Sequence, residues 1–239
     1  MARFGSATLA SAAIACVLAA TPALTATTTF TDQTLNDADY TLGAFKDPSL
    51  TVGAYGQTAI GGNPGPGLQG TTSSSGPNAL GVLFTALNNG FVYDPGATGP
   101  ITSLDVSPNR FSNPIVDGAQ SNVGSYSLRL LAAQAGDLYQ AAFVFGPFNS
   151  VGGTRNSLSR SGIPASNFFR LDSSNYFGSD SVGGLDFTGS AITSGFAMRS
   201  AAPVDSNGQP TAAPASNDLR ADNFALTIHS TEDIPKPAT

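Results

Sequence analysis

Short segments in which apolar and polar residues alternate constrain the fold of this chain more than any other feature of its sequence. The segment Asn223–His229 gives the pattern most clearly, because Phe224, Leu226 and Ile228 fall on one face and the residues between them fall on the other. A period of two residues is typical of a strand that packs on a core on one side and meets water on the other. Comparable alternating or short apolar segments occur at Thr27–Thr31, Tyr40–Phe45, Leu50–Tyr55, Ala79–Leu87, Phe91–Tyr93, Ile101–Val106, Tyr126–Leu131, Leu138–Phe145 and Ile192–Met198.

Turn-forming residues separate these segments, and charged residues are scarce. The chain has 27 Gly and 16 Pro, whereas only 11% of its residues are charged, a balance that favours short strands joined by polar turns over long helices with charged faces. We predict an all-β chain of about nine to eleven strands in two packed antiparallel sheets, a jelly-roll-like sandwich. Alternation alone does not separate a jelly roll from other sandwiches. A turn at Ala135-Gly136-Asp137 is predicted to join the segments Tyr126–Leu131 and Leu138–Phe145. Loops are predicted at Gly61–Gly76, Gly146–Gly162 and Ala201–Ser216, and a short helical turn at Asn167–Leu171.

The N-terminus has the three parts of a signal peptide. Arg3 gives a positive start, Ala7–Leu18 is mostly apolar, and small residues follow at which cleavage after Ala23 or Ala26 is expected. We therefore predict residues 1–26 as a signal peptide, one domain over residues 27–230, a flexible tail over 231–239, and a protein secreted to the extracellular space or the periplasm. A buried helix of the mature fold and a lipid on Cys16 are the alternatives.

The charge of the chain excludes some partners. Its formal net charge is −6 and it has only ten Lys and Arg residues, with no basic run that would displace counterions from a nucleic acid. We predict no nucleic-acid partner and no binding to an anionic membrane surface. After residue 26 no apolar stretch approaches the roughly twenty residues needed to span a bilayer.

Three groups of short motifs together resemble a known group of proteins. They are Asp39-Tyr40-Thr41 with Gly61–Gly65, then Pro164–Phe169 with Leu185–Ser190 and Gly195-Phe196, and lastly Ala221–Phe224. These motifs resemble secreted bacterial proteins with a concanavalin A-like or carbohydrate-module-like jelly roll, many of which carry a sorting signal of the PEP-CTERM type. The resemblance implies export and an extracellular or glycan-associated role, and it brings no catalytic residues. The chain departs from the group at Ile234–Pro237, where the sorting signal is missing.

The residues needed for hydrolysis are scarce. A glycoside hydrolase needs two carboxylates beside the scissile bond, and concanavalin-like glucanases supply theirs as Glu, whereas Glu232 in the predicted tail is the only Glu here. His229 is the only histidine, and no G-x-S-x-G segment is present. We therefore predict that the protein is not an enzyme, and a glycoside hydrolase ranks last among the functions considered.

Calcium is the cofactor that the composition best supports. Calcium prefers several oxygen ligands from carboxylates, amides and carbonyls, and Asp222 and Asn223 open the last strand at a position where similar modules often hold structural calcium. Since the first and last strands of jelly rolls commonly adjoin, Asp32 and Asp37 are the predicted partners. The alternative is that Asp222 only accepts hydrogen bonds from turn amides.

A sugar ligand would need aromatic faces and hydrogen-bonding groups. The chain has no Trp, so Tyr176 and Asn175 are the predicted contacts, with Arg155 and Arg160 for an acidic polysaccharide. Packing of Tyr176 at the edge of the core and solvation of the arginines are the alternatives. The sequence favours a secreted, non-catalytic module that binds an extracellular polysaccharide or cell-envelope glycan, over a structural protein that self-associates through weakly charged sheet edges.

Overall fold

The computed structural model describes residues 25–62, 65–75, 81–120, 126–142, 156–172, 174, 176, 184–200 and 214–231. These residues form two antiparallel sheets packed against each other, so the predicted all-β sandwich is confirmed. The predicted signal peptide, apart from Thr25 and Ala26, and the tail beyond Thr231 lie outside the described residues.

The strands are β1 (Thr25–Asp32), β2 (Tyr40–Lys46), β3 (Thr51–Gly62), β4 (Gly65–Ser74), β5 (Val82–Tyr93), β6 (Ile101–Val116), β7 (Ala119–Gln120), β8 (Tyr126–Gln134), β9 (Asp137–Ala142), β10 (Asn156–Ser157), β11 (Arg160–Ile163), β12 (Phe168–Arg170), β13 (Ile192–Ser200) and β14 (Ala215–Thr231). Three short helices accompany them within the described residues: 3-10 turns at Asp37–Asp39 and Ala165–Asn167, and one α-helical turn at Pro95–Thr98. None of the helices in the described part of the chain has the length and apolar character needed to cross a membrane.

The eight-stranded sheet has the order β10-β6-β14-β4-β3, with β1 also beside β14 and both β7 and β11 beside β6. The six-stranded sheet has the order β12-β9-β8-β13-β5-β2. In the first sheet β1 runs antiparallel to the C-terminal half of β14, with Asp32 opposite Phe224. The expectation that the first and last strands adjoin is therefore confirmed.

Several predicted elements are corrected by the pairing. The predicted loop Gly61–Gly76 contains β4, which pairs with β3 on one side and β14 on the other, because Thr and Ser side chains fit a half-buried strand surface once backbone partners are present. The helical turn expected at Asn167–Leu171 lies earlier, at Ala165–Asn167, and is followed by strand β12.

The segments expected as two strands, Ala79–Leu87 and Phe91–Tyr93, belong to the single strand β5. The sequence predicts a gap because the polar residue Asn88 and then Gly90 interrupt the apolar run. In the structure the side-chain oxygen of Asn88 accepts a hydrogen bond of 2.9 Å from the backbone N–H of Gly90. The opposing strand β13 shows a register shift between Thr193 and Gly195 at this level. The polar residues therefore form an irregularity within a strand, where the sequence predicts a gap between strands.

The core between the sheets is built from apolar side chains of both. Phe196 of the six-stranded sheet and Phe224 of the eight-stranded sheet are buried, and their ring centroids are 5.1 Å apart. The hydroxyl of Tyr55 on β3 donates a 2.5 Å hydrogen bond to the carbonyl oxygen of Thr85 on β5, which links the sheets through a polar contact as well. Burial of these aromatic rings provides a large part of the free energy that holds the layers together.

Candidate functional site

A groove of about 630 Å³ lies at one end of the sandwich, between the end of β1, the 3-10 turn Asp37–Asp39 and the irregular part of β5. We call it the end groove. Both sheets contribute to the groove, because β1 belongs to the eight-stranded sheet and β5 to the six-stranded one. Its lining residues are Thr29, Phe30, Thr31, Asp32, Ala38, Asp39, Asn88, Asn89, Gly90 and Phe91.

Two phenylalanines form the apolar part of the end groove. The rings of Phe30 and Phe91 stack with centroids 5.1 Å apart and an interplanar angle of 24°. Phe91 in turn stacks on the buried ring of Phe224, at 6.2 Å and 19°. This chain of rings fixes the apolar part of the groove to the core, so its shape is set before any ligand arrives.

The polar part of the end groove includes two neighbouring amides. Asn88 is buried and its side-chain oxygen is bonded to the Gly90 N–H. The side-chain oxygen of Asn89, which is exposed, accepts a 2.9 Å hydrogen bond from the hydroxyl of Thr41. With its oxygen engaged, the Asn89 amide presents its nitrogen as a donor towards solvent.

The two carboxylates of the end groove have different roles. Oδ1 of Asp32 accepts hydrogen bonds from the backbone N–H groups of Thr34 and Leu35, each at 2.9 Å, and Oδ2 accepts from the hydroxyl of Tyr40 at 3.0 Å. Asp39 is exposed, and within the described part of the chain its carboxylate makes no hydrogen bond or ion pair. Asp39 is therefore available to a ligand, whereas Asp32 is held by the turn.

The residues predicted to bind calcium are placed as follows. Asp32 and Asp37 both accept backbone hydrogen bonds, Asp37 from the N–H of Gln57, while Asp222 is 5% exposed and Asn223 has a φ of 49° at an irregularity of β14. Among the described residues there is no group of three or more His, Cys, Asp and Glu side chains that could hold a metal ion. A calcium site at these four residues stays a prediction.

Of the four residues predicted to bind a sugar, the structure describes Tyr176 and Arg160. Tyr176 is 4% exposed and stacks on Phe45, at 5.9 Å and 21°, against the outer face of the six-stranded sheet. Arg160 lies on β11 of the other sheet. Asn175 and Arg155 lie outside the described residues. In this structure the Tyr176 ring packs rather than offering an open face, which is the alternative that the sequence left open.

Sequence reasoning selected Asp32 among the lining residues of the end groove but missed the others, above all Asp39, Asn89 and Phe91. One signal was present in the sequence: the polar step Asn88-Asn89-Gly90 interrupts an otherwise apolar strand. Its meaning depended on β1 and the 3-10 turn lying beside it, and no local pattern predicts that neighbourhood.

The sole histidine also has a defined partner. Nε2 of His229 lies 2.9 Å from Oδ2 of Asp105, and Oδ1 of Asp105 accepts a 2.8 Å hydrogen bond from the N–H of Gly162. Burial raises the pKa of Asp105, but its hydrogen bonds to His229, Gly162 and Ser161 outweigh this and leave the pKa below the usual value. In a hydrolytic triad the histidine lies between the serine and the carboxylate, whereas here Asp105 lies between Ser161 and His229.

Comparison with known proteins gives weak likenesses only. No family model and no curated protein matches the chain. Among solved structures, TmCBM61 in complex with beta-1,4-galactotriose is similar at 8% identity and a TM-score of 0.26, covering 81% of this chain and 90% of that one. The Clostridium thermocellum xylanase 10B CBM22-1-GH10 modules complexed with xylohexaose are similar at 9% identity and a TM-score of 0.28; this chain spans 29% of that one, and 87% of this chain is covered.

Proposed function

We propose that this protein is a secreted, non-catalytic module that binds an extracellular polysaccharide or a cell-envelope glycan through the end groove. The observation that carries the proposal is the pairing of an apolar floor, Phe30 and Phe91, with the exposed polar groups of Asp39 and Asn89. A sugar ring has an apolar face bordered by hydroxyl groups, so a ligand site for it needs both kinds of surface side by side.

The end groove offers a sugar hydroxyl both a hydrogen-bond acceptor and a hydrogen-bond donor. The carboxylate of Asp39 accepts hydrogen bonds only, and the amide nitrogen of Asn89 donates them, so a sugar hydroxyl can donate to the first and accept from the second. The threonines Thr29 and Thr31 are exposed on the same wall and add groups that donate and accept. The rigid floor supports binding because little conformational entropy is lost when a ligand enters.

Binding of soluble oligosaccharides from neutral polysaccharides, measured by isothermal titration calorimetry on the mature protein, tests the proposal. We expect Asp39→Asn and Asn89→Ala each to weaken binding by about tenfold, the loss typical of a hydrogen bond to a ligand. Asp117→Asn is the matched control, because Asp117 lies in an exposed turn with a φ of 51° that Asn tolerates. Equal affinities for all three variants and the parent protein, or no binding in a panel of polysaccharides, would reject the end groove as a glycan site.

A structural role through self-association is the second candidate, and one observation favours it. Strand β3 forms an edge of the eight-stranded sheet, and none of its twelve residues is charged. Uncharged edges lack the usual protection against pairing with another chain. Size-exclusion chromatography with light scattering over a concentration series tests this role, and a strictly monomeric protein would count against it.

A further inference from the structure

The dipeptide Asn89-Gly90 lies in the irregular part of strand β5, where it lines the end groove. The four residues of β5 between Leu87 and Val92 stand against the single residue Ser194 of β13. A strand with extra residues bulges out of the ladder, and its extra residues are not held by ladder hydrogen bonds on that side. Both Asn89 and Gly90 are exposed, so solvent reaches this bulge.

An asparagine that precedes glycine reacts with its own backbone. The backbone nitrogen of the following residue attacks Cγ of the asparagine and displaces ammonia, and a following residue without a Cβ atom hinders this attack least. Asparagine is for this reason among the thermolabile residues of proteins. Asn89-Gly90 is the one Asn-Gly pair within the described residues, and the chain has a second, Asn207-Gly208, outside them.

The hydroxyl of Thr41 makes the side-chain amide of Asn89 more reactive. It donates a 2.9 Å hydrogen bond to Oδ1 of Asn89. As the Gly90 nitrogen adds to Cγ, negative charge develops on this oxygen, and a donor that is already in place stabilises the charge. Thr41 therefore lowers the barrier of the step that a free asparagine passes with water alone.

The attacking nitrogen is held by Asn88. The N–H of Gly90 donates a 2.9 Å hydrogen bond to Oδ1 of Asn88, a turn of the kind that asparagine side chains form with the backbone two residues on. Because this bond runs along the N–H direction, it leaves the faces of the peptide group free, and the nitrogen attacks from a face. The same bond polarises the N–H whose proton has to leave.

We propose that Asn89 is a modification site, at which attack by the Gly90 nitrogen deamidates the side chain spontaneously and the Thr41 hydroxyl assists. The bond from the Gly90 nitrogen to Cγ forms, the bond from Cγ to Nδ2 breaks, and the amide leaves as ammonia with the proton of the Gly90 N–H. Water then opens the five-membered imide at either of its carbonyls. One opening gives an aspartate and the other an isoaspartate, and water is the sole co-reactant.

The reaction changes the chemistry of the end groove. A carboxylate oxygen, which accepts hydrogen bonds, replaces the amide nitrogen of Asn89, which donates them. The groove, which already contains Asp39, gains a second exposed negative charge. A glycan in the groove would lose its contact with the amide nitrogen and bind about tenfold more weakly. This last consequence rests on the proposed function, whereas the modification itself does not.

Incubation of the protein in warm, mildly alkaline buffer, followed by peptide mapping with mass spectrometry, tests the site. Chymotrypsin cleaves after leucine and aromatic residues, so it releases Asn88–Phe91 separately from Asn207-Gly208. Fragment ions then distinguish Asn89 from Asn88. We expect the mass gain that converts an amide into an acid to accumulate at Asn89, with aspartate and isoaspartate as two separable products.

Two variants test the two groups that act on Asn89. We expect Thr41→Val to slow the reaction about fivefold, the effect of one lost hydrogen bond, and Gly90→Ala to slow it about tenfold or more. Valine suits the exposed strand position of Thr41, and the nearest atom to a Cβ at Gly90 is Oδ1 of Asn88, 3.4 Å away. Thr102→Val is the matched control, because its exposed hydroxyl also makes one hydrogen bond, on β6, and we expect it to leave the rate unchanged. Melting curves show that each variant is folded during the incubation.

Each outcome decides one part of the proposal. Asn89 that stays intact in the folded protein, while a synthetic peptide of residues 85–93 deamidates in the same buffer, would overturn the site. A rate in Thr41→Val equal to or above that of the parent protein would overturn the role of Thr41, and an unchanged rate in Gly90→Ala would overturn the attack by the backbone nitrogen. Calorimetric titration with oligosaccharide is a separate measurement: equal affinity before and after modification of Asn89 would count against the end groove as a glycan site and leave the modification standing.

Discussion

The hydroxyl of Tyr40 donates a 3.0 Å hydrogen bond to Oδ2 of Asp32 and thereby joins the two sheets at the end groove. Tyr40 begins β2 in the six-stranded sheet, and Asp32 ends β1 in the eight-stranded one. The Tyr40 ring is buried against Phe196, 6.0 Å away at 69°. Burial, and then the neighbouring Asp32 carboxylate, raise the pKa of Tyr40, so the phenol stays protonated and acts as a donor throughout the physiological range.

Replacement of Tyr40 by Phe tests this link. The change keeps the ring and removes the hydroxyl, so Oδ2 of the partly buried Asp32 loses a donor, and we expect the free energy of unfolding to fall by about 1 to 2 kcal/mol. Urea denaturation measures the change. Tyr139→Phe is the matched control, because the Tyr139 ring is also packed against the core and its hydroxyl makes no hydrogen bond within the described residues. Equal stability of the two variants would contradict the proposed importance of the link.

The same carboxylate predicts loss of stability in acid. Burial raises the pKa of Asp32, but hydrogen bonds from the N–H groups of Leu35 and Thr34 and from the Tyr40 hydroxyl outweigh it, so the net pKa is lowered. A lowered pKa in the folded state stabilises the protein above the unfolded-state value of about 3.9, and this stabilisation is lost as the pH falls through the folded-state pKa. We expect the free energy of unfolding to decrease below about pH 4.

Urea denaturation of the parent protein and of Asp32→Asn over a series of acidic pH values measures this dependence. The amide does not titrate, so the variant is expected to be less stable near neutrality and to lose less stability on acidification. Asp105 and Asp186 also have lowered pKa values, and their contribution remains in both proteins. Parallel pH curves for the two proteins would show that Asp32 is not a source of the acid sensitivity.

Gly195 is predicted to be intolerant of any side chain. A Cβ atom there would overlap the carbonyl oxygen of Ala86 and lie 2.8 Å from Cα of Leu87, and backbone atoms of a central strand cannot move aside cheaply. We expect Gly195→Ala to destabilise the protein by about 2 to 3 kcal/mol, as overpacking of a core does. Gly184→Ala is the control, because the nearest atom to its Cβ is the Ala165 carbonyl oxygen at 3.7 Å. Thermal unfolding compares the two, and a Gly195→Ala variant as stable as the control would refute the prediction.

Removal of divalent cations tests the predicted calcium site. If Asp222, Asn223, Asp32 and Asp37 hold calcium, a ligand that binds only the folded state raises its stability, so EDTA should lower the melting temperature and added calcium should restore it. Magnesium serves as the control cation, since it prefers a smaller and more regular shell. A melting temperature that EDTA does not change would contradict the predicted calcium site.

Some elements of the fold were predictable because their causes are local. The turn between β8 and β9 is one: Ala135 and Gly136 have φ values of 53° and 89°, and the sequence predicts a turn there from Ala135-Gly136-Asp137. Other elements depended on partners. The predicted final strand starts at Asn223, whereas β14 starts at Ala215, because β4 and β6 pair with its N-terminal half and continue it across an irregularity at Asn223.

The candidate sites show the same division. Residue type and local position alone selected Asp222, Asp32 and Tyr176. In the structure Asp222 lies in strand β14, Asp32 ends β1 and accepts hydrogen bonds from the turn that follows, and Tyr176 is packed in a cluster of apolar side chains. The end groove combines residues that are far apart in the chain, such as Thr29 and Asn89. No spacing along the sequence relates such residues, since the register of non-neighbouring strands decides which side chains meet.

By itself the sequence determined an all-β chain with alternating strand faces and few charges, because periodicity and turn chemistry act over a few residues. Only the tertiary structure decided which strands pair, how far β4, β6 and β14 extend, and which polar groups share a surface. The physical reason is that the backbone hydrogen bonds and the apolar face of a strand are completed by partners that are distant in the sequence.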